Sequence, residues 1–459
     1  MDETRRIDEP KIWKQGTLTY TTFGLIALFF WLLWGDFTWA MKDRAVGPSA
    51  TLLIKSLGVD DVVYALIIVA FPNFTNIFLC PLISYISDRH RGRWGRRIPF
   101  LLFTTPFIVI GLIGLGFTPV LGSELLRIPA IAEYLSLNTA RLIVFGVFWV
   151  LLDFGTTLSG ALSGALINDV VPSELLGRFF GLFRAISLIA GMLFNFYLIG
   201  QVEVHGAWIF TGLGILYGVG LLSLCLKVKE GEYPPVEPAA KTGAREIYAP
   251  ILTYFRQSFS ISYYRWVIFA LVFSSLAAAP FNIFSIPYAK GIGMDMDFYG
   301  KLLTLTYAIS LCLSYFLGML ADRFHPLRTS LVALTAYLFS MAAGWFVVTG
   351  PESFAVVLVI HGVVSGCHFT LSASLGQRLF PKSLFAQFNS AIAMLLAISN
   401  VVLAPMLGKT LNMLGHNYRY VFLFGTLTTL LSVLTLFRVY RSYLKLGGDR
   451  CYTPPNPGE

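Results

Sequence analysis

The chain has 459 residues, of which 56% are hydrophobic and only 13% charged, with a mean hydropathy of +0.69. A soluble domain carries about 25% charged residues, so this composition excludes a water-soluble globule of this size. It also excludes disorder and small disulfide scaffolds. The net charge of +9 raises nucleic-acid binding, and the placement of the charges argues against it.

Met1 to Gln15 is polar and holds Arg5, Arg6, Lys11 and Lys14. It lacks a short apolar core with a cleavage site, so it reads as a cytoplasmic tail and not as a signal peptide. Six apolar runs follow at 18–41, 60–86, 98–120, 141–167, 179–201 and 207–226. A polar stretch then separates them from six more, at 264–289, 299–321, 328–349, 353–377, 385–408 and 419–440. Each run is long enough for a helix to cross a hydrocarbon core of about 30 Å. A barrel would alternate over segments of about ten residues instead. The expected fold class is an all-α membrane protein of twelve transmembrane helices in two six-helix halves. The predicted divisions are an N-tail over 1–17, a first half over 18–228, a linker over 229–262, a second half over 263–441 and a C-tail over 442–459.

Lys and Arg in the loops set orientation. With the N-terminus in the cytoplasm, 24 of the 34 basic residues fall inside, nine fall outside and one, Arg184, falls within a span. This bias predicts that both termini are cytoplasmic and explains the basic balance as topology. The outside set includes Lys42, Arg44 and Lys55. Lys42-Asp43-Arg44 reads as an outer mouth. A place in the cavity is the alternative, because Pro48 leaves the helix end open.

The five cysteines form no CxxC or Cys/His cluster and read as small buried hydrophobes. His361 and His368 share a helix face, yet no third ligand is evident, so no metal and no cofactor is expected. No nucleophile elbow, HExxH or phosphate-binding loop is found, so an enzyme is not expected and any transport must be gradient-driven.

The halves resemble each other weakly. Asp88-Arg89 ends the second run and Asp322-Arg323 ends the eighth. Pro172-Ser-Glu-Leu-Leu-Gly-Arg-Phe before run five echoes Pro381-Lys-Ser-Leu-Phe-Ala-Gln-Phe before run eleven. Duplicated halves suggest a carrier that rocks around a midplane site. Asp36, Asp153 and Arg184 stand mid-span, where a charge costs about 2.5–3.5 kcal/mol on insertion scales and marks a substrate or ion path.

Loop 2–3 reads Asp88-Arg-His-Arg-Gly-Arg-Trp-Gly-Arg-Arg-Ile-Pro99, and loop 8–9 reads Gly318-Met-Leu-Ala-Asp-Arg-Phe-His-Pro-Leu-Arg328. Both resemble the gating motif of the major facilitator superfamily, G-x-x-x-D-R-x-x-x-R. The resemblance implies gating roles for Asp88, Arg89, Arg93, Arg96, Arg97, Asp322, Arg323 and Arg328, through charge-assisted bonds that break and re-form. Within that superfamily the chain is similar to the glycoside–pentoside–hexuronide group and to sucrose transporters. The stretches that carry this are Arg93-Trp-Gly-Arg-Arg-Ile-Pro99, Phe148-Trp-Val-Leu-Leu-Asp153 followed by Ala165-Leu-Ile-Asn-Asp169, and Phe183-Arg184-Ala-Ile-Ser-Leu-Ile-Ala-Gly191.

The resemblance implies that Asp153 is the functional fourth-helix aspartate, Arg184 the sugar-contacting arginine and Asp36 a sugar-hydroxyl acceptor. The two carboxylates that hold sodium in melibiose permeases fall at Asn76 and Cys80, neither of which suits a hard cation's need for charged oxygens. Proton coupling is therefore expected over sodium coupling. Burial favours a neutral carboxyl and a nearby guanidinium favours the carboxylate, so Asp153 is expected to carry the proton with Arg184 as its charge partner. Asp169 and Glu174 read as gate or surface charges. Further substrate-binding candidates are Asn76, Trp39, Trp149, Asn282, Tyr288 and Asn389, since sugars need hydrogen-bonding groups and aromatic faces.

The expected function is proton-coupled symport of a disaccharide or other glycoside by alternating access. The alternatives are a drug or lysolipid carrier, or sodium-coupled sugar symport. The expected partners are a sugar, a proton and the lipid bilayer of the plasma (inner) membrane, with no nucleic acid. The expected state is a monomer.

Overall fold

The computed structural model describes residues 12–233, 259, 261–381 and 385–455. Most of the predicted linker, including Lys241, Arg245 and Arg256, lies outside the described residues, as does Lys382.

Among the described residues, twelve helices are long and apolar enough to cross a membrane. They are α1 (Thr22–Ser56), α2 (Asp61–Arg89), α3 (Ile98–Gly116), α4 (Leu137–Val170), α5 (Ser173–Tyr197), α6 (Ile199–Lys227), α7 (Ser262–Gly291), α8 (Met296–Phe324), α9 (Pro326–Val347), α10 (Pro351–Leu379), α11 (Gln387–Met413) and α12 (Tyr420–Lys445). The twelve predicted runs all become helices. Large apolar side chains such as Phe23, Ile110, Trp208, Val332 and Phe346 stand exposed along them. A water-soluble surface would not carry so many; a bilayer accepts them. The chain is a multi-pass membrane protein.

The largest departure from expectation is at the end of α1. The run was predicted to stop at residue 41, but the helix continues through Pro48 to Ser56. Proline removes one backbone donor and crowds the carbonyl of the preceding turn, but Ala45 before it and Ala50, Leu52 and Ile54 beyond it are all buried. Packing on that extension holds the helix together across the missing donor.

The chain divides into two compact units. The first comprises residues 1–46, 78–190 and 207–241. The second comprises residues 47–77, 191–206 and 242–459. The end of α1, the start of α2 and the α5–α6 turn thus group with the second unit.

In the first unit, α3 and α4 approach at their backbones. A Cβ added to Gly111 would lie 2.9 Å from the Leu152 backbone, and one on Gly155 would lie 2.7 Å from the Ile108 side chain. Small residues at such crossings let helices pack without a side-chain spacer. Trp34 Nε1 of α1 donates to Ser223 Oγ of α6 at 3.2 Å, and Ser159 of α4 pairs with Tyr217 of α6 at 3.0 Å. Before α1, β1 (Trp13–Gln15) and β2 (Leu18–Tyr20) pair antiparallel across a turn at Gly16, whose φ is +57°. Gln15 Nε2 donates to the Asn168 carbonyl near the end of α4.

In the second unit, Ser274 of α7 pairs with Ser432 of α12 at 3.0 Å, and Tyr299 of α8 donates to Ser285 of α7 at 2.9 Å. Tyr64 of α2 donates to the Ile283 carbonyl of α7 at 2.7 Å.

Candidate functional site

The first unit buries Asp36, Lys42 and Asp153, at 6%, 2% and 8% exposure. Lys42 Nζ stands 3.8 Å from the centroid of the Trp39 ring and 5.8 Å from that of Tyr217. It also donates to Thr156 Oγ1 at 3.4 Å. Thr156 lies three residues after Asp153 on α4, so both groups occupy one helix face. Asp153 acts electrostatically on Lys42 and on Cys80 of α2. The ammonium therefore contacts a hydroxyl and an aromatic face, within the field of Asp43 and Asp153.

Asp36 lies two turns before Lys42. Its Oδ2 is buried with no hydrogen-bond partner among the described residues. An unmet buried carboxylate oxygen costs about 1–3 kcal/mol or more, which is tolerated where a ligand supplies the donor. Asp36 lines a cavity of about 160 Å³ together with Gly35, Trp39, Gly160, Ser163 and Phe183. A carboxylate, a hydroxyl and an indole face bordering one cavity suit the O–H and C–H surfaces of a sugar ring.

The expected Asp153–Arg184 pair does not form in this arrangement. Arg184 is exposed and makes no ion pair among the described residues. The cation that feels the Asp153 charge is Lys42, which bonds Thr156 one turn along the same helix and feels the charge of Asp43 as well. The outer-mouth reading of Lys42 is likewise corrected, because α1 continues past it and buries it. Arg44 turns to α5, donating from Nη2 to Ser187 Oγ at 3.2 Å, while Asp43 is exposed.

Trp149 is buried and stacks on Phe145. Tyr288 is buried in an aromatic cluster with Phe354, Tyr418 and Phe422. Both rings are packed into protein, which argues for core roles. Asn76, Asn282 and Asn389 are exposed. Asn282 Oδ1 lies 2.9 Å from His361 Nε2, and the other ring nitrogen of His361 meets the Tyr337 hydroxyl at 2.8 Å. That satisfies His361 within the core. His368 and Asn389 line a second cavity of about 190 Å³, in the second unit, with Ser274, Ser275 and Gln377.

The loop between α2 and α3 is tied down by a network. Arg96 grips Asp169 with two bonds, Nε to Oδ2 at 3.0 Å and Nη2 to Oδ1 at 2.5 Å. Those bonds hold its guanidinium above its ordinary pKa. Arg97 reaches Asp169 at 3.3 Å and also pairs with Asp88 and Ser87. Asp169, read from sequence as a gate or surface charge, is thus the acceptor that joins loop to α4. Glu230 then accepts the backbone N–H groups of Arg96, Arg97 and Ile98, at 2.9, 2.8 and 2.7 Å. A carboxylate there caps the first turn of α3 and meets its positive dipole end. Tyr233 donates to Glu230 and lies under the Arg96 guanidinium. Of the other expected gate residues, Arg89 stacks on Tyr85, and Arg93 is exposed. In the second unit Asp322 pairs with Arg378, Arg328 with Asp449, and Arg323 lies over the Phe324 ring.

One cluster was not anticipated at all. Asp61, at the start of α2, has no exposed surface. Its carboxylate receives Lys55 Nζ at 2.5 Å, His416 Nδ1 at 2.7 Å and the Tyr418 hydroxyl at 2.8 Å. Its backbone N–H donates to Asn412 Oδ1 at 3.0 Å. The cluster ties the α1–α2 corner to the α11–α12 turn inside the second unit.

The MFS/sugar transport protein family matches residues 50–383 of the chain. The chain belongs to that family. The general alpha-glucoside permease of Schizosaccharomyces pombe is 26% identical over 257 residues, which cover 53% of this chain and 44% of the permease. The matched region thus spans under half of that relative's length. Solved structures agree on the fold. A D-xylose-proton symporter superposes with TM-score 0.61 at 13% identity, covering 91% of this chain and 96% of its own. The nucleoside transporter NupG gives 0.61 at 13% identity, with 91% and 98% covered. A bacterial homologue of the human lysosomal transporter Spinster gives 0.63 at 14% identity, with 92% and 97% covered. The relatives are transporters and permeases, not enzymes.

Two kinds of residue in this sugar transport family member carry no clear sequence signal. An apolar run that ends at residue 41 leaves Lys42 one residue outside the helix that contains it. The signal against that was the nearly apolar stretch Ala45–Ile54 behind it. Glu230 and Asp61 each have a near partner, Tyr233 and Lys55, but the contacts that give them their roles, to Arg97 and to His416, lie 133 and 355 residues away and leave no local signal.

Proposed function

We propose that this MFS sugar transport family member is a proton-coupled symporter of a glycoside. The observation that carries the reading is the unpartnered Oδ2 of Asp36, among the described residues, on a cavity also bordered by Trp39 and Ser163, within a chain of a sugar transport family. Asp36 accepts sugar hydroxyls and Trp39 covers a sugar face. Asp153 takes up and releases the coupling proton, because a carboxyl in an apolar span can exist in both forms at modest cost when a cation stands near it. Arg184 is the sugar-binding arginine, and its exposed side chain is available to a ligand. Asn76, Asn282 and Asn389 are also exposed and supply hydrogen-bonding groups. The Asp88–Arg96–Arg97–Asp169 network acts as a gate that opens and closes in each cycle. Both termini lie in the cytoplasm and the membrane is the plasma (inner) membrane, as the Lys and Arg bias requires.

The alpha-glucoside permease relative makes α-linked glucosides the first substrates to try. Cells expressing the protein are given a panel of α-glucosides, other disaccharides and monosaccharides in weakly buffered medium. Sugar-dependent alkalinisation of the medium supports the reading. No pH response to any sugar, with transport of dyes or lysolipids instead, overturns it.

A further inference from the structure

Lys42 is 2% exposed, which is rare for a lysine unless it is paired. Its ammonium is surrounded from three helices. On α1 itself, Trp39 offers its ring face at 3.8 Å, and the charge of Asp43 acts on the ammonium. From α4 come the Thr156 hydroxyl at 3.4 Å and the charge of Asp153. From α6 comes the Tyr217 ring at 5.8 Å. A carboxylate, a hydroxyl oxygen and an aromatic face are the groups that hold a small monovalent cation. In this chain the cation is covalently attached.

We propose that Lys42 is the built-in counter-cation of Asp153 and fills the place that a mobile alkali cation would need. The consequence is a carrier whose coupling is confined to protons. When Asp153 is a carboxylate, the ammonium offsets its charge, which is one of the two carboxylate charges, with Asp43, that act on Lys42, and so weakens its pull on sodium. When Asp153 takes up a proton, the ammonium stays, held by Trp39 and Thr156, and repels an incoming sodium. In either state the space is occupied. Lys42 is therefore a positioning and selectivity residue acting through Asp153. The inference rests on the symport reading for its transport consequence, but the cation-binding consequence stands apart from it.

The test uses full-length protein in vesicles, with sugar uptake measured in sodium chloride, lithium chloride and choline chloride. The wild type is expected to give equal uptake in all three. Lys42→Ala removes the ammonium and opens the space. Its uptake is expected to fall at least tenfold in choline and to recover severalfold in sodium or lithium. Lys42→Met removes the charge but keeps the stem, so uptake is expected to be lost with no rescue by either ion. Lys42→Arg is expected to retain proton-driven uptake. Sodium is also expected to raise the melting temperature of Lys42→Ala, with no such rise in Lys42→Ala/Asp153→Asn.

Uptake stimulated by sodium in the wild type overturns the proposal. So does a Lys42→Ala variant with undiminished uptake in choline. So does a folded Lys42→Ala variant that sodium neither rescues nor stabilises. If Lys42→Ala does not fold, proton-driven uptake surviving in Lys42→Met overturns it, and its loss in Met with retention in Arg supports it. If no sugar moves protons in the wild type, the symport reading fails, while the sodium-dependent melting shift still decides the cation-site claim.

Discussion

Lys42 and Trp39 are one helical turn apart on α1, and the ammonium of one stands 3.8 Å over the ring of the other. Trp39 thereby serves two neighbours, since it also borders the Asp36 cavity. Replacing Trp39 by Leu keeps the apolar volume roughly but removes the ring's negative face. A desolvated cation–π contact is worth about 1–2 kcal/mol, so Trp39→Leu is expected to lower thermal stability by that order. Trp39→Phe is expected to lose less. Thermal unfolding in detergent checks the ranking.

Glu230 is the hub that fixes the loop before α3. It accepts three backbone donors and a tyrosine hydroxyl. A helix cap together with a charge at the dipole end contributes about 2 kcal/mol. Glu230→Ala is expected to destabilise by roughly that amount, and Glu230→Gln by less, because the amide keeps one acceptor oxygen. Proteolysis or hydrogen exchange over residues 90–100 should rise in the alanine variant while α9 to α12 stay protected.

Asp61 makes the opposite case, a buried charge with several partners. Removing one member of such a buried group costs about 3–5 kcal/mol, because the others are left unpaired. Asp61→Ala is expected to lower the melting temperature sharply, and His416→Ala far less, since the histidine side chain is half exposed. Salt is expected to change the Asp61→Ala difference little, because burial limits screening.

His325 sits between α8 and α9 with φ +67°. Its Nδ1 accepts the Leu327 N–H at 3.2 Å and its ring stacks on Tyr443. Burial holds its pKa below the ordinary imidazole value, opposed by Asp449 and aided by Arg378 and Arg328. The unfolded chain therefore takes up this proton first as pH falls. Stability is expected to be flat above the ordinary value near 6.5 and to decline below it, until the folded pKa is passed. His325→Asn is expected to flatten that acid-side decline, as read from melting temperature against pH.

Much of this was legible in the sequence because a bilayer constrains so strongly. Each span needs about 20 apolar residues, so all twelve helices could be read, and the rare mid-span charges Asp36 and Asp153 stood out against them. What was not legible depended on partners distant in the chain. Asp153 and Arg184 are the visible mid-span charges, whereas the structure brings Lys42 to Thr156 on the Asp153 face of α4, where the Asp153 charge reaches it. A helix end misplaced at residue 41 put the true neighbour outside the membrane. Tyr288 and Trp149 are buried against other rings, and an aromatic ring reads the same in sequence whether it faces a cavity or a core. Glu230 and Asp61 sit at helix ends, where charge is ordinary, and only tertiary contact distinguishes them.

The central claim is that Asp153 carries the proton that drives sugar accumulation. The most direct measurement compares two modes of sugar movement in vesicles containing Asp153→Asn, namely accumulation driven by an imposed pH gradient and exchange of sugar at equilibrium. The account predicts that the variant loses accumulation while keeping exchange, since the asparagine cannot take up a proton but leaves Asp36 and Trp39 in place. Full gradient-driven accumulation by Asp153→Asn would contradict it.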